Sequence, residues 1–188
     1  MPVNSVVEAP EILVTQRLIL RRPGLSDAPA VFEYASDPEV TRYMDWRTHT
    51  DVQDTVDFLR RCAPRWASGE ELSWLLATRP ADVVIGAVGC RVRAQAAEIG
   101  FVLNREYWQQ GYATEAASAV VAWAFSDDSI LRVWATCDAE NLASARVLEK
   151  IGMTREAILR RYKVRPNLST VPRDTFVYGM VRTVGHNR

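Results

Sequence analysis

Seven short stretches of the chain have the hydrophobic pattern of β-strands. Each shows alternating apolar and polar residues or a brief apolar run, and turn residues bound each one. The stretches are 17–22, 72–79, 83–92, 97–104, 131–138, 153–164 and 173–182. Only Pro-Ala-Asp separates the second stretch from the third, so these two strands are predicted to form a hairpin.

Apolar residues spaced three to four positions apart predict four helices, at about 26–37, 51–66, 111–125 and 141–151. Ser26 is the expected N-cap of the first helix, and Pro38 is its expected stop. Gly152 follows the last helix. Strands come first and helical crossovers later, which predicts a mixed α/β (α+β) fold with helices on both faces of one sheet.

Composition indicates an ordinary globular domain. The 188 residues are 48% hydrophobic and 24% charged, which suits one domain over 1–188, with 1–14 as a loose leader and 184–188 as a tail. Lysine plus arginine (23) equals aspartate plus glutamate (23), so overall charge favours neither nucleic acid nor a membrane surface as partner. The chain begins without a basic segment or a long apolar run, and we expect a cytoplasmic protein.

Cysteines and histidines form no recognisable catalytic or metal pattern. Cys62, Cys90 and Cys137 are widely spaced and odd in number, which fits neither a disulfide framework nor a zinc site. His49 lies in a predicted loop and His186 in the tail. We therefore predict no metal and no Ser-His-Asp or Cys-His arrangement.

The segment "QQGYAT" (109–114) joins a predicted strand to a predicted helix. The chain has no G-x-x-x-x-G-K-[ST] and no G-x-G-x-x-G phosphate motif. Free N–H groups at a helix start and the helix dipole nevertheless suit an anion, and Gly111 and Ala113 would let it approach closely. A glycine turn without a ligand is the alternative.

A resemblance favours the ligand. "EIGFVLNREYWQQGYATEAASAVVAWAF" followed by "NLASARVLEKIGM" resembles the GNAT superfamily of acyl-CoA-dependent N-acetyltransferases, and is most similar to its RimJ and RimL branch. The opening "TQRLILRRPGLSDAPAVFEYASDPEV" and the closing "RDTFVYGMVR" extend the likeness over nearly the whole chain. The resemblance implies a mostly antiparallel sheet of about seven strands, splayed between its fourth and fifth strands, with acetyl-CoA in the gap.

The resemblance also implies which residues hold the cofactor. Backbone groups of Phe101, Val102 and Leu103 would pair with the pantetheine arm. The pyrophosphate would lie on the amides of Gln109, Gln110, Gly111, Tyr112, Ala113 and Thr114, with Asn141 and Ser144 also near the cofactor. The family pattern Gln/Arg-x-x-Gly-x-Gly/Ala has Trp108 at its first position in this chain.

Transfer of an acetyl group to an amine needs a base, a stabilised oxyanion and a stabilised thiolate. Family likeness assigns Glu98 as the base, a backbone N–H near Val102 to the oxyanion and Ser144 to the thiolate. Some family members place a tyrosine where this chain has Leu148. Glu98 could equally be an exposed glutamate, and Ser144 a common first-turn serine after the N-cap Asn141.

The acceptor site is predicted in the acid-rich segment 26–57. Tyr43, Asp45 and Trp46 combine aromatic and acidic groups that suit an ammonium. A solvated helix face with two packing aromatics is the alternative. The basic segment 155–165 fits a charged edge strand, or a patch for an acidic partner or for the adenosine 3′-phosphate.

The resulting prediction is an acetyl-CoA-dependent N-acetyltransferase that acts by direct transfer, without an acyl-enzyme on Cys137. A protein N-terminal α-amine, such as that of a ribosomal protein, is the favoured acceptor. A small molecule (antibiotic, polyamine or aminoacyl conjugate) is the alternative, as is a non-catalytic acyl-CoA-binding regulatory domain. Either a monomer or a homodimer fits the sequence.

Overall fold

The sheet of this protein has eight strands in the order β1-β2-β3-β4-β5-β6-β8-β7. The structure, a computed structural model, describes residues 9–182. The strands are β1 (Ile12–Val14), β2 (Leu18–Arg21), β3 (Leu72–Thr78), β4 (Val84–Arg93), β5 (Ala96–Leu103), β6 (Arg132–Asp138), β7 (Thr154–Arg165) and β8 (Ser169–Val181). Five helices accompany them: α1 (Ala28–Ala35), α2 (Pro38–Thr41), α3 (Val52–Ser68), α4 (Tyr112–Ala124) and α5 (Leu142–Lys150).

The predicted mixed, mostly antiparallel sheet is confirmed, with eight strands instead of about seven. Every neighbouring pair is antiparallel except β5 and β6. The predicted hairpin is β3–β4, which pairs from Leu72 opposite Cys90 to Ala77 opposite Val84. The splay expected between the fourth and fifth strands falls between β5 and β6, because one additional strand precedes them.

That additional strand is β1. Residues 12–14, placed in a loose leader from the sequence, pair with β2 in antiparallel register. Trp74 Nε1 also donates a 2.9 Å hydrogen bond to the carbonyl of Pro10. The chain before β2 is thus part of the sheet from Ile12 onward. The single domain over 1–188 stays a prediction, and the tail 184–188, including His186, lies outside the described residues.

The start of the first helix also differs from the prediction. Ser26 lies in a short 3-10 turn, Leu25–Asp27, and Asp27 is the N-cap residue of α1. Asp27 is fixed there because Arg21 donates to both of its carboxylate oxygens, at 2.7 and 3.0 Å. The helix ends before Pro38, as predicted, but Pro38 then opens α2, where proline suits the first position.

Two hydrophobic clusters cover the two faces of the sheet. On one face, Ala116, Ala117 and Val120 of α4 are fully buried against the strands, and the small alanines let the helix approach closely. On the other face, Val31 of α1 and Leu59 of α3 are buried in the second cluster. No helix within residues 9–182 is long and apolar enough to cross a membrane.

Candidate active site

Among the described strands, the sheet opens where its one parallel pair, β5 and β6, separates. β5 and β6 pair at three positions: Ala96 with Arg132, Ala97 with Val133 and Glu98 with Trp134. Beyond them, 99–103 pair only with β4, and 135–138 pair only with β8. Two strand edges with unpaired backbone groups therefore diverge from Glu98, and such an edge can accept an extended ligand as an added strand.

A cleft of about 480 Å³ occupies this side of the sheet. The structure brings most of the predicted site residues to it. Those that line the cleft are Tyr43, Asp45, Trp46, Glu98, Phe101, Val102, Asn141 and Ser144. Leu103 and the segment 109–114 lie outside its lining, at the carboxyl end of β5 and at the start of α4. An extended molecule anchored on that segment and running back along β5 would reach Glu98.

The segment 109–114 has the geometry of an anion-binding turn. Gly111 is the N-cap of α4 with φ at 84°, and Gln109 is also left-handed, with φ at 60°. Among the described residues, no acceptor is hydrogen-bonded to the N–H groups of Gln109, Gln110, Gly111, Tyr112, Ala113 or Thr114. These groups, together with the dipole of a 13-residue helix, could hold a phosphate.

Arg17, which the sequence did not single out, holds this turn in place. Its Nη1 donates to the carbonyl of Gln110 at 2.9 Å, and its guanidinium lies 4.3 Å from the centre of the Tyr112 ring. Its Nε donates to Glu115 at 2.7 Å, and Thr15 Oγ1 donates to the same carboxylate at 2.6 Å. Burial raises the pKa of Glu115, but these hydrogen bonds outweigh burial and lower it.

Replacing Arg17 with glutamine is expected to raise the KM for acetyl-CoA roughly 10-fold with little change in kcat. The variant loses the bond to Gln110 and one positive charge beside the anion-binding turn. Arg22→Gln is the matched control. Arg22 directly follows β2, as Arg17 directly precedes it, but Arg22 pairs with Glu11. Initial rates at varied acetyl-CoA measure both constants. Equal KM values in the two variants would contradict this assignment.

Glu98 stands at the point where β5 and β6 separate, half-buried in the cleft wall. Its cross-strand neighbour on β4 is Arg91, but the Arg91 guanidinium donates a hydrogen bond to Glu71 at 3.0 Å. Glu71 also accepts from Arg65 at 3.0 Å. Within residues 9–182, the Glu98 carboxylate has no hydrogen bond and no ion pair. Its oxygens are therefore available to a substrate.

The start of α5 closes the other side of the cleft. The Asn141 side chain accepts a hydrogen bond from the Ser144 backbone at 3.1 Å, so the N-cap interpretation of Asn141 is confirmed. The Ser144 hydroxyl has no hydrogen-bond partner among the described residues and lines the cleft. Leu148 also lines the cleft but is apolar and buried, so it contributes no proton donor.

Cys137, at the end of β6, also lines the cleft. Burial raises the pKa of its thiol to about 11. The thiol is thus protonated at neutral pH, and the thiolate needed for nucleophilic attack is scarce. No group of three or more His, Cys, Asp or Glu side chains that could hold a metal ion occurs within 9–182.

The negative charge of the acid-rich segment 26–57, where the acceptor site is predicted, is largely paired. Most of its carboxylates are already paired with arginine or lysine. The pairs are Asp27–Arg21, Asp37–Arg105, Glu39–Arg42, Asp45–Lys163 and Asp57–Arg60. Burial raises the pKa of Asp45, but Lys163, at 2.6 Å, outweighs burial and lowers it. Charge counted along the chain failed here because the partners lie up to 118 residues away.

The basic segment of β7 divides in two. β7 is an edge strand, and Arg160 and Arg161 are exposed on it. Lys163 and Arg165 instead line the cleft, with Lys163 paired to Asp45. The charged-edge interpretation therefore fits only the outer part of the strand.

Residues 17–154 match the family described as Acetyltransferase (GNAT) domain. The chain belongs to the GNAT family. As a GNAT protein, it is an acetyl-CoA-dependent N-acetyltransferase, and acetyl-CoA is its cosubstrate. The splayed strands and the glycine turn described above are the parts of this GNAT domain that could hold that cosubstrate.

Bacterial N-acetyltransferases are similar to this GNAT chain over most of its length. YoaA of Bacillus subtilis (strain 168) is 34% identical over 174 residues, which is 91% of this chain and 97% of YoaA. The N-acetyltransferase p20 of Bacillus licheniformis is 33% identical over 156 residues, covering 81% of this chain and 88% of p20. Neither name states an acceptor.

Solved structures share the GNAT fold. An acetyltransferase from Bacillus anthracis superposes with a TM-score of 0.80 at 29% identity, covering 90% of this chain and 98% of its own. RimL in complex with coenzyme A superposes with a TM-score of 0.81 at 20% identity, covering 91% and 98%. At that identity, the likeness to RimL concerns the fold alone.

Proposed function

We propose that this chain transfers the acetyl group directly from acetyl-CoA to an α-amine held beside Glu98, with a protein N-terminus as the favoured acceptor. One observation carries the proposal: β5 and β6 separate at Glu98, whose carboxylate has no partner among the described residues. An extended cofactor arm with its phosphates on 109–114 would run along Phe101, Val102 and Leu103. Its thioester would then end near Glu98.

The chemistry follows from these positions. Glu98 accepts a proton from the acceptor ammonium, directly or through one water, and the free amine attacks the thioester carbonyl carbon. A C–N bond forms, the C–S bond breaks, and the second proton of the attacking nitrogen passes to the coenzyme A sulfur, which leaves as the free thiol. Backbone N–H groups on the open edge of β5, near Val102, stabilise the oxyanion, and the Ser144 hydroxyl donates a hydrogen bond to the departing thiolate.

One structural neighbour supports a protein α-amine as the acceptor, and a second supports the small-molecule alternative. RimL is named a ribosomal L7/L12 alpha-N-protein acetyltransferase, and MccE, a microcin C7 self-immunity acetyltransferase, was solved with acetyl-CoA and AMP. The first name favours a protein N-terminus. The second keeps an amine on a nucleotide-linked small molecule as the other candidate.

Removal of the hydroxyl in Ser144→Ala is expected to lower kcat about 10-fold without a change in Tm. The hydroxyl has no partner to lose, and the backbone N–H of residue 144 keeps its bond to Asn141. Steady-state rates with saturating acetyl-CoA, together with a thermal melt, measure both quantities. Full kcat in the variant would remove Ser144 from the mechanism.

An acceptor panel tests the proposed function. Release of the coenzyme A thiol is followed with N-terminal peptides of ribosomal proteins, polyamines, aminoglycosides and aminoacyl nucleotides. We expect release with α-amine acceptors and no acetylated Cys137 in acid-quenched samples analysed by mass spectrometry. Release only with polyamines or aminoglycosides would contradict the α-amine assignment, and an acetylated Cys137 that forms and decays during turnover would contradict direct transfer.

A further inference from the structure

Arg165, the last residue of β7, is a buried cation with an incomplete set of partners. Its side chain is 6% exposed. Its Nε is buried and has no hydrogen-bond partner among the described residues. The nearest carboxylate oxygen, Asp138 Oδ2, is 3.9 Å away, which is too far for a hydrogen bond. An unpaired N–H of a buried cation is costly, so its position calls for a functional explanation.

Asp138 does not satisfy the Arg165 N–H groups, because it lies 3.9 Å from Arg165 Nε and is held by other donors. Arg173 binds both of them, at 2.8 and 3.2 Å, and the backbone N–H of Glu140 donates to Oδ1 at 3.0 Å. Asp138 is 1% exposed. It is therefore a nearby counter-ion of Arg165 that leaves the guanidinium N–H groups of Arg165 available.

The turn that follows Arg165 fixes the arginine in the cleft wall. Asn167 Nδ2 donates to the carbonyls of Thr41 and Trp46, at 2.7 and 2.9 Å, and Asn167 Oδ1 accepts from the backbone N–H of Thr48 at 3.0 Å. These bonds pin the β7–β8 turn to the segment between α2 and α3. Because the backbone is held, Arg165 is positioned before any substrate arrives.

Most of the other charges that line the cleft are paired with one another. Asp45 is bound by Lys163, and Glu71 is bound by both Arg65 and Arg91. Asp138 is bound by Arg173. Apart from Arg61, which is exposed on α3, two charged groups of the described cleft lining have no hydrogen bond: the Glu98 carboxylate and the Arg165 guanidinium. The cleft thus offers one acceptor for an amine proton and one buried donor for an anion.

We propose that Arg165 binds an anionic group, a carboxylate or a phosphate, that the acetyl acceptor carries near its amine. The inference rests on the proposed function and narrows its acceptor class. A guanidinium suits either group because its planar N–H fork can bind two oxygens at once. Polyamines have no group for this site. Such an anionic group is present in amino acids, in peptides with an acidic first residue and in aminoacyl phosphates.

The positive charge of Arg165 acts on ionisable groups on both sides of the cleft. Burial raises the pKa of the Asp45 carboxyl and of the Cys137 thiol, and the Arg165 charge acts in the opposite direction on each. Asp45 lies in the cleft wall between α2 and α3, and Cys137 lies at the end of β6. An anion on Arg165 would therefore lie between the wall and the two separating strands.

Matched acceptor pairs test the inference. One pair is an amino acid and its amide, another is a peptide with aspartate or asparagine in first position, and a third is an aminoalkyl phosphate and the amino alcohol. We expect the wild type to prefer the anionic member of at least one pair. Arg165→Gln should lower kcat/KM for that member about 10- to 100-fold, mainly through KM, and leave the neutral member within about 3-fold. The pair that responds distinguishes carboxylate from phosphate.

Two further variants guard against a folding artefact. Arg165→Lys keeps the charge but loses the planar fork, so the preference should fall part of the way. Arg160→Gln removes the same charge from the exposed part of β7, where Arg160 pairs with Asp174, and should keep the full preference. Thermal melts confirm that each variant is folded, and the lysine variant alone carries the test if glutamine prevents folding.

Equal kcat/KM for both members of every pair in the wild type would refute the inference alone. An equal loss for both members in the Arg165 variants would do the same. Transfer to no amine of any charge, with acetyl-CoA binding intact, would refute the proposed function itself and this inference with it.

Discussion

The variant Glu98→Gln is expected to lower kcat about 100- to 10,000-fold, with a change of less than about 3-fold in the KM for acetyl-CoA. Glutamine has nearly the same shape but cannot accept the amine proton. The carboxylate has no hydrogen bond or ion pair within residues 9–182, so its replacement removes no structural contact. The loss should therefore appear in the chemical step and not in stability.

The pH dependence of kcat/KM separates catalysis from general damage. The plot of kcat/KM against pH should differ in shape between the wild type and the variant, because only the wild type has a carboxylate that accepts the amine proton. Glu39→Gln is the matched control, because Glu39 is an exposed glutamate on α2 that pairs with Arg42. A Glu98→Gln enzyme with wild-type kcat and an unchanged profile would show that Glu98 is not the base.

The second large effect is expected from Gly86→Ala in β4. A Cβ at this position would lie 2.3 Å from the carbonyl oxygen of Val102 and 3.0 Å from the Cα of Leu103. Both atoms belong to the backbone of β5, so the clash is relieved only if β4 and β5 move apart. We expect a loss of about 3 kcal/mol in the free energy of unfolding. The corresponding fall in Tm is roughly 6 to 12 °C.

This variant should also bind acetyl-CoA more weakly, because Val102 and Leu103 belong to the strand proposed to pair with the cofactor. Gly100→Ala in β5 is the control for stability: a Cβ there would meet nothing within 4 Å. Thermal melts with and without acetyl-CoA measure both effects. If Gly86→Ala and Gly100→Ala melt at the same temperature, the close approach of β4 to β5 is not a constraint.

The regular elements were largely predictable from the sequence, because period-two alternation and cap residues are local signals. The β3–β4 hairpin and the cap at Asn141 are examples. Strand β1 was missed because three apolar residues carry no period, and only pairing with β2 makes them a strand. The start of α1 was misplaced because Ser26 and Asp27 are both good N-cap residues. The hydrogen bonds from Arg21 on β2 to the Asp27 carboxylate favour Asp27.

The site was predictable only as far as the family pattern extends. That pattern led to Glu98, Asn141 and Ser144, all of which line one cleft. It gave no sign of the Arg17–Glu115 pair or of the Asn167 hydrogen bonds to the segment after α2. The partners in these contacts lie 98 to 126 residues apart. Such contacts depend on tertiary packing. The paired acids of the segment 26–57 show the same limit, because composition reports charges and not their partners.

Amide hydrogen exchange with and without acetyl-CoA tests the central claim most directly, because backbone N–H groups are the proposed ligands of the cofactor. The account predicts slower exchange on binding in two places: the open edge of β5 at 99–103 and the turn at 109–114. Unchanged exchange in both segments under saturating acetyl-CoA, or protection confined to other parts of the chain, would contradict it.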